Sequence, residues 1–333
     1  MARIYLDYNA STPIAPEVAV VMTEAMTGAF GNPSSPHWAG APARALVEQA
    51  RHQVADLLGC TPGEVVFTSG GSESNNFALK GAFSATGRSR PHIVTTAVEH
   101  PSVLVPCRFL ESLGARVTYL PVDATGRIDP EDLRRAITPQ TILISVMHAN
   151  NEVGTLQPVA ECAAIARDHG IPMHTDAAQS VGKLPTRVDE LGADLLTLAG
   201  HKLYAPKGIG ALYIRAGTTL TPLIQGAGHE GGRRAGTESA LLATGLGRAC
   251  ALAAGCPEMD RVQALRDRLW AGLQARFGSG VVLNGHPEQR LPNTLNVSFV
   301  GRVGAEVLAS LEGVAASTGS ACHAGAVELS PVL

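Results

Sequence analysis

The sequence predicts an α/β fold: a large domain built on a mostly parallel, seven-stranded sheet, with a smaller α+β domain beside it. Three observations carry this. Between residues 64 and 215, seven short β-branched and apolar runs alternate with helix-like stretches, as in a parallel sheet with helical crossovers. Several of those runs are almost continuously apolar, which fits strands covered on both faces. After Gly255-Cys256-Pro257 the pattern changes, so a boundary near Pro257 splits the 333 residues into about two domains.

In chain order, residues 16–29 and 41–58 read as helices. Residues 64–69 (EVVFTS), 92–97, 116–122, 141–148, 171–176, 194–199 and 210–215 read as the seven strands, with helices following Ser72, Pro101 and Pro158. The Ala-rich stretch 237–254 reads as a further helix. Beyond the boundary come an amphipathic helix at 259–277, strand-like 281–283 and 294–299, and a helix near 304–311. The large domain is expected over 16–256, and the small one from 1–15 together with 257–333.

Composition limits the function classes. An apolar fraction of 45% and a charged fraction of 17% describe a chain that folds rather than one that stays disordered. Its 26 basic and 29 acidic residues leave a net charge of −3, which gives no electrostatic reason to bind nucleic acid or an anionic membrane. The N-terminal residues do not read as a secretory signal, and the apolar region 241–255 is interrupted by Arg248, so no membrane span is expected. Six scattered cysteines without a C-x-x-C pair are expected as reduced thiols in the cytoplasm.

In open parallel sheets, ligands sit beyond the carboxyl ends of the strands. Five polar clusters fall there: 69–76, 99–100, 148–152, 176–179 and 200–202. The first, SGGSESNN, follows a strand and opens a helix. Glycines allow close backbone approach and helix-start N–H groups favour an anion, so it suits a phosphate; a glycine turn with Ser72 as helix N-cap is the plainer alternative. In HANNEVG (148–154), Asn150 or Asn151 can orient a polar ligand, or simply satisfy a turn. In HTDAAQ (174–179), His174 and Asp176 lack a third ligand at metal spacing, and no metal is expected. Asp176 suits a fixed negative charge that keeps a heterocyclic nitrogen protonated. In AGHKLYAPKG (199–208), a lysine in a partly dry site can lose its proton and become a nucleophile, although a lone lysine is usually a surface charge.

These residues reach a resemblance. DAAQ at 176–179 followed by GHK at 200–202 resembles fold-type I pyridoxal phosphate enzymes of the class V aminotransferase group. DYNASTP at 7–13, GNPSS at 31–35, 69–76, Glu99-His100, NNEVG at 150–154, RAGT at 234–237 and GSAC at 319–322 are similar to one subgroup, the cysteine desulfurases of the NifS/IscS type. The ordered combination, from residue 4 to the last residues, is more specific than any single motif. The resemblance implies the PLP-dependent transferase fold of type I, with pyridoxal 5'-phosphate as cofactor. By the same resemblance, Lys202 would hold the cofactor as a Schiff base. Asp176 would face its pyridinium nitrogen, so that the ring acts as an electron sink. Gln179 would bond its phenolic oxygen, and His100 would stack on the ring and carry protons. Asn151 would contact the bound substrate. The Gly71 backbone, Ser72 and His201 would hold the phosphate, with Thr237 from a partner subunit, which implies a homodimer. Cys322 would be the nucleophile, acting as thiolate from the small, polar run 314–321, which reads as a mobile loop.

The implied activity is removal of sulfur from L-cysteine, giving L-alanine and an enzyme persulfide. The sulfur acceptor would be an iron–sulfur scaffold or a sulfur carrier for tRNA or cofactor thiolation. Two departures from the family pattern stand out. Many relatives carry a hydroxyl residue at the position of Ala199; its loss removes a phosphate hydrogen bond worth about 1 kcal/mol unless Thr197 or water substitutes. Relatives also continue past Leu333 into a segment with an arginine that clamps the substrate carboxylate, which no residue here matches, so the chain is expected to be truncated. Selenocysteine lyase, or another β-eliminating lyase, is the alternative enzyme. A truncated, weakly active sulfur-relay or binding protein is the alternative of another class.

Overall fold

The computed structural model describes residues 3–319 and 332–333. Its centre is one seven-stranded sheet in the order β2-β8-β7-β6-β5-β3-β4. The strands are β2 (Val65–Thr68), β3 (His92–Thr96), β4 (Arg116–Leu120), β5 (Thr141–Ser145), β6 (Met173–Asp176), β7 (Leu195–Ala199) and β8 (Gly210–Ile214). Only β8 runs antiparallel to its neighbours, β2 and β7. The other six strands therefore end at one edge, and β8 starts there. Gly210 opens β8 under the next chain: a Cβ on it would lie 2.5 Å from the Leu198 carbonyl oxygen and 2.7 Å from the Gly70 Cα. No larger residue fits that approach.

The continuous apolar runs are explained by burial on both faces. Every residue of β2, β3, β6, β7 and β8 is buried. Alternate side chains enter two different cores, as the two-residue strand period requires. Val65, Phe67, Leu196, Leu198, Ala211 and Tyr213 join a core with α1 (Pro16–Gly28), α2 (Gly40–Leu58) and α8 (Ala240–Ala253). Val66, Leu195, Leu212 and Ile214 join the core under α3 (Gly71–Ala85) and α4 (Pro101–Ser112). On the first of these faces, Arg51 of α2 forms a buried bidentate pair with Glu230, at 2.7 and 3.1 Å.

The differences from the sequence expectation are local. A helix α5 (Pro130–Ala136), capped by Asp129 accepting from the Glu131 N–H at 2.9 Å, has only Leu133 buried, too little apolar periodicity to show in the sequence. After α6 (Val159–Asp168) and β6, a single helical turn, α7 (Val188–Leu191), precedes β7. β6 begins at Met173, because Pro172 has no N–H for a ladder bond. α8 begins three residues later than expected, where Ser239 accepts from the Leu242 N–H.

Beyond α8 lie α9 (Met259–Phe277), the antiparallel pair β9 (Val281–Leu283) and β10 (Val297–Phe299), and α10 (Gly304–Ala309). The expected amphipathic helix α9 forms, yet none of its residues is buried, and Leu265 and Leu269 are about half exposed. β1 (Ile4–Tyr5) pairs in parallel with β11 (Val314–Ala315), so the stretch read as loop from 314 opens as a strand. Among the described residues, no helix is long and apolar enough to cross a membrane.

Candidate active site

The edge where six strands end carries all five polar clusters. At the end of β7, a short 3-10 turn, Gly200–Lys202, presents Lys202. The N-terminal segment is tied to this turn. The Thr12 N–H and hydroxyl both donate to the His201 carbonyl, at 2.8 and 3.1 Å, and the Tyr204 N–H donates to the Thr12 hydroxyl at 2.8 Å. Tyr204 has φ +60°, a left-handed conformation disfavoured for a bulky residue. The lysine turn is thus held by contacts rather than by local preference.

Next to it, β6 ends on Asp176, which is buried. Its two oxygens accept from Asn75 Nδ2 at 2.7 Å and from the Ala178 N–H at 2.9 Å. Asn75, on α3, also donates to Ser102 Oγ at 2.8 Å. Ser102 Oγ lies 2.7 Å from His100 Nδ1, which caps α4 by accepting the Ser102 N–H at 3.1 Å. Asp176 and His100, 76 positions apart by number, thus belong to one hydrogen-bonded chain. Behind Asp176, Glu99 is wholly buried. Its Oε1 accepts from the Met147 N–H at 2.7 Å and from Thr96 at 3.0 Å, and its Oε2 has no partner. Burial, reinforced by the charge of Asp176, pushes this carboxyl up to about 8, so the partner-less oxygen belongs to a neutral acid at pH 7.

Gln179, three residues past β6, is fixed at both ends. Its Oε1 accepts from Lys183 Nζ at 3.2 Å, and its Nε2 donates to the Asn9 carbonyl at 2.9 Å. Asn9 in turn donates to the Asn151 carbonyl at 3.2 Å and to Thr294 at 2.9 Å. A backbone carbonyl only accepts, so the amide orientation is determined by the Asn9 contact. One N–H of Nε2 remains available to a ligand oxygen. The structure also separates the two asparagines: Asn150 spends its side chain on the Val98 carbonyl and on the N–H groups of Glu152 and Val153, which leaves Asn151 for a ligand.

At the end of β2, Gly70 has φ +146° and precedes α3. Ser72 is therefore in the first turn and not the N-cap. The Ser69 N–H donates instead to Glu73, at 2.8 Å, and Glu73 pairs with Arg234 at 2.9 Å. That pair anchors the loop carrying Thr237, which is exposed. A Cβ on Gly71 would lie 3.2 Å from the Ala199 Cβ, so the position that lacks a hydroxyl borders the first turn of α3. Thr197 does not replace it: its hydroxyl is 3.1 Å from His174 Nε2 and fully buried. Ser72 and His100 line an open cavity of about 480 Å³ with Asn76 and Ser102.

The donor set fits pyridoxal phosphate. Cationic and amine groups crowd the buried edge. Burial, then Lys202, Lys207 and His100, push His201 down to about 4. Burial and the Lys202 charge push Lys183 down to about 7. Such a site favours an anion such as a phosphate, with α3's first-turn N–H groups alongside. Asp176 supplies the matching acceptor for a ring nitrogen, and Gln179 the donor for a ring oxygen.

His174 has both ring nitrogens engaged, by Ser145 and Thr197, and no metal-holding group of three His, Cys, Asp or Glu residues occurs among the described residues. The five described cysteines are unpaired. Cys322 lies outside the described residues. The sequence offered no role for Asn75, Ser102, Lys183 or Asn9. Asn75 and Asn9 sit inside quoted motifs and Ser102 and Lys183 beside them, but the contacts that give Asn75 and Asn9 a role reach residues far away in the chain.

Comparison with known proteins agrees with this geometry. Residues 4–331 match the family Aminotransferase class-V. The chain is 48% identical over 335 residues to "Cysteine desulfurase IscS" of Dictyoglomus turgidum, covering 99% of this chain and 85% of that protein. It is 47% identical over 334 residues to "Cysteine desulfurase IscS" of Methanosarcina thermophila, covering 99% and 82%. Among solved structures, a "NIFS-LIKE PROTEIN" superposes with a TM-score of 0.88 at 37% identity, over 92% of this chain and 84% of that one. "SspA in complex with cysteine" superposes with a TM-score of 0.87 at 40% identity, over 99% and 93%. The sheet, its order and these likenesses establish an α/β fold of the NifS-like, fold-type I kind. The chain belongs to the aminotransferase class-V family.

Proposed function

We propose that this protein is a pyridoxal-phosphate-dependent cysteine desulfurase, which takes sulfur from L-cysteine, releases L-alanine and keeps the sulfur as a persulfide on Cys322. The observation that carries this is the pairing of Lys202 and Asp176 at adjacent strand ends in a buried, anion-favouring edge. When bound, pyridoxal phosphate supplies an electron sink that stabilises negative charge on the substrate's α-carbon.

The chain's own residues do the rest. Lys202 Nζ would hold the cofactor and, as a free amine, would take the substrate's α-proton. Asp176 would hold the ring nitrogen, Gln179 Nε2 the phenolic oxygen, and His100 the ring face. The Gly71 N–H, Ser72 and His201 would hold the phosphate, completed by Thr237 from a second protomer of a homodimer, and Asn151 would contact the substrate. Cys322 forms the new sulfur–sulfur bond as the carbon–sulfur bond breaks, and a proton completes alanine. Burial supports this assignment by elimination, since it pushes the thiols of Cys60, Cys107 and Cys162 up to about 12 and raises those of Cys250 and Cys256, which leaves them poor nucleophiles.

L-cysteine as substrate is supported by the neighbour solved with cysteine. The sulfur acceptor is an iron–sulfur scaffold or a carrier for thiolation, and unpaired thiols support a cytoplasmic setting. The division into 16–256 and 1–15 with 257–333 belongs to the same proposal; it is supported by the sheet falling wholly within the first range. The test is alanine release from cysteine with mass-spectrometric detection of the persulfide on Cys322. Full alanine formation by C322A with a thiol acceptor present would overturn the mechanism.

A further inference from the structure

The strand-end cluster contains a directional hydrogen-bond chain that the reaction as described does not use. It begins at Asp176, whose carboxylate oxygens accept and never donate. Asn75 must therefore turn Nδ2 toward Asp176, at 2.7 Å. An amide nitrogen has two N–H groups, and the second reaches Ser102 Oγ at 2.8 Å. With its oxygen accepting there, Ser102 has its own proton left to give. His100 Nδ1 stands 2.7 Å away to receive it. The same Nδ1 accepts the Ser102 backbone N–H at 3.1 Å, a group that can only donate. The backbone contact requires a bare lone pair on Nδ1, and the hydroxyl, free to donate, then points its proton at the same lone pair.

We propose that Asn75 and Ser102 are positioning residues that hold His100 in the tautomer with its proton on Nε2, so that the ring can donate from Nε2 but has no lone pair free to act as a base. This deepens the functional reading above and rests on it. The simpler account makes His100 only the N-cap of α4. That needs the backbone N–H alone, and explains neither the Ser102 hydroxyl 2.7 Å from the ring nor the Asn75 amide split between Ser102 and Asp176. Base work then falls to Lys202, while His100 serves as an N–H hydrogen-bond donor from Nε2.

The experiment is a long-range proton–nitrogen correlation on holoenzyme labelled with 15N-histidine near neutral pH, with the His100 signals assigned by their loss in H100Q. Expected is an unprotonated Nδ1 and a protonated Nε2. In S102A the hydroxyl donor is gone, and the share of molecules protonated at Nδ1 should rise about two- to tenfold, the effect of one hydrogen bond. S102T, which keeps a hydroxyl, should retain the wild-type pattern. A proton on Nδ1 in the wild type, or an unchanged tautomer in S102A, would overturn the proposal. The cofactor's visible absorption in the same samples reports separately on the functional reading. Wild-type protein that takes up no pyridoxal phosphate fails that reading, whereas cofactor-loaded protein with the wrong tautomer fails only this one.

Discussion

Replacing Ala199 by serine restores a hydroxyl at the end of β7, and the structure fixes the sign of two separate effects. Ala199 is only 3% exposed, and its Cβ borders the first turn of α3, 3.2 Å from where a Gly71 Cβ would stand. Without cofactor, the new hydroxyl is buried beside a helix start that offers it donors and no strong acceptor. An unsatisfied buried hydroxyl costs about 1 kcal/mol or more, so the cofactor-free variant should melt about 2 °C lower than the wild type. With cofactor, a phosphate oxygen accepts that hydroxyl. One such bond, at about 1 kcal/mol, tightens binding about fivefold. The assay is equilibrium titration of cofactor-free wild type and A199S with pyridoxal phosphate, read by visible absorption, together with thermal unfolding of both forms. A lower melting temperature without cofactor and a tighter dissociation constant are expected together. Unchanged or weaker binding would refute the placement of the phosphate beside Ala199.

Three further outcomes follow from the geometry. The Glu99 carboxyl holds its proton to about 8 in the folded protein, against about 4.3 unfolded; the native state therefore binds the extra proton between those values, and stability from this group is lost as pH rises toward 8. E99Q, which mimics the neutral acid, should gain in melting temperature relative to wild type as pH rises from about 5 to about 8, and a constant difference across that range would contradict the assignment. R51M leaves the Glu230 carboxylate buried with the Phe67 N–H at 3.0 Å as a remaining donor, and should cost about 3–5 kcal/mol in denaturant unfolding; a loss below about 1 kcal/mol, the range of surface pairs, would show that water reaches the pair. Brief alkylation of native protein near neutral pH should mark Cys322 before any other thiol, and first labelling of Cys60 or Cys256 would contradict the elimination argument.

Much of the sheet was legible in the sequence because its strands are buried on both faces, so that Val65-Val66-Phe67 and, Thr197 apart, Leu195–Ala199 are written in apolar residues. α5 was not, because one buried leucine among charged residues leaves no period. β11 was not, because two residues paired to the N-terminal strand carry no pattern of their own. At the site, Lys202, Asp176 and Gln179 were legible because they follow strand ends within distinctive short motifs. Asn75, Ser102 and Asn9 were not, since their meaning lies in contacts across the fold: Asn75 reaches Asp176 101 positions on, and Asn9 reaches Thr294 285 positions on. At Ser72 the plainer of the two readings, a helix cap, is ruled out, because Gly70 takes the N-cap position with φ +146°.

The central claim is that one particular amine anchors the cofactor, and the structure offers a competitor for it. Lys183 is buried, its amine pushed down to about 7, and so chemically able to condense with an aldehyde. Borohydride reduction of the holoenzyme followed by peptide mapping decides between them: the pyridoxyl group is expected on Lys202, and finding it on Lys183, on Lys207 or on no lysine would contradict the account.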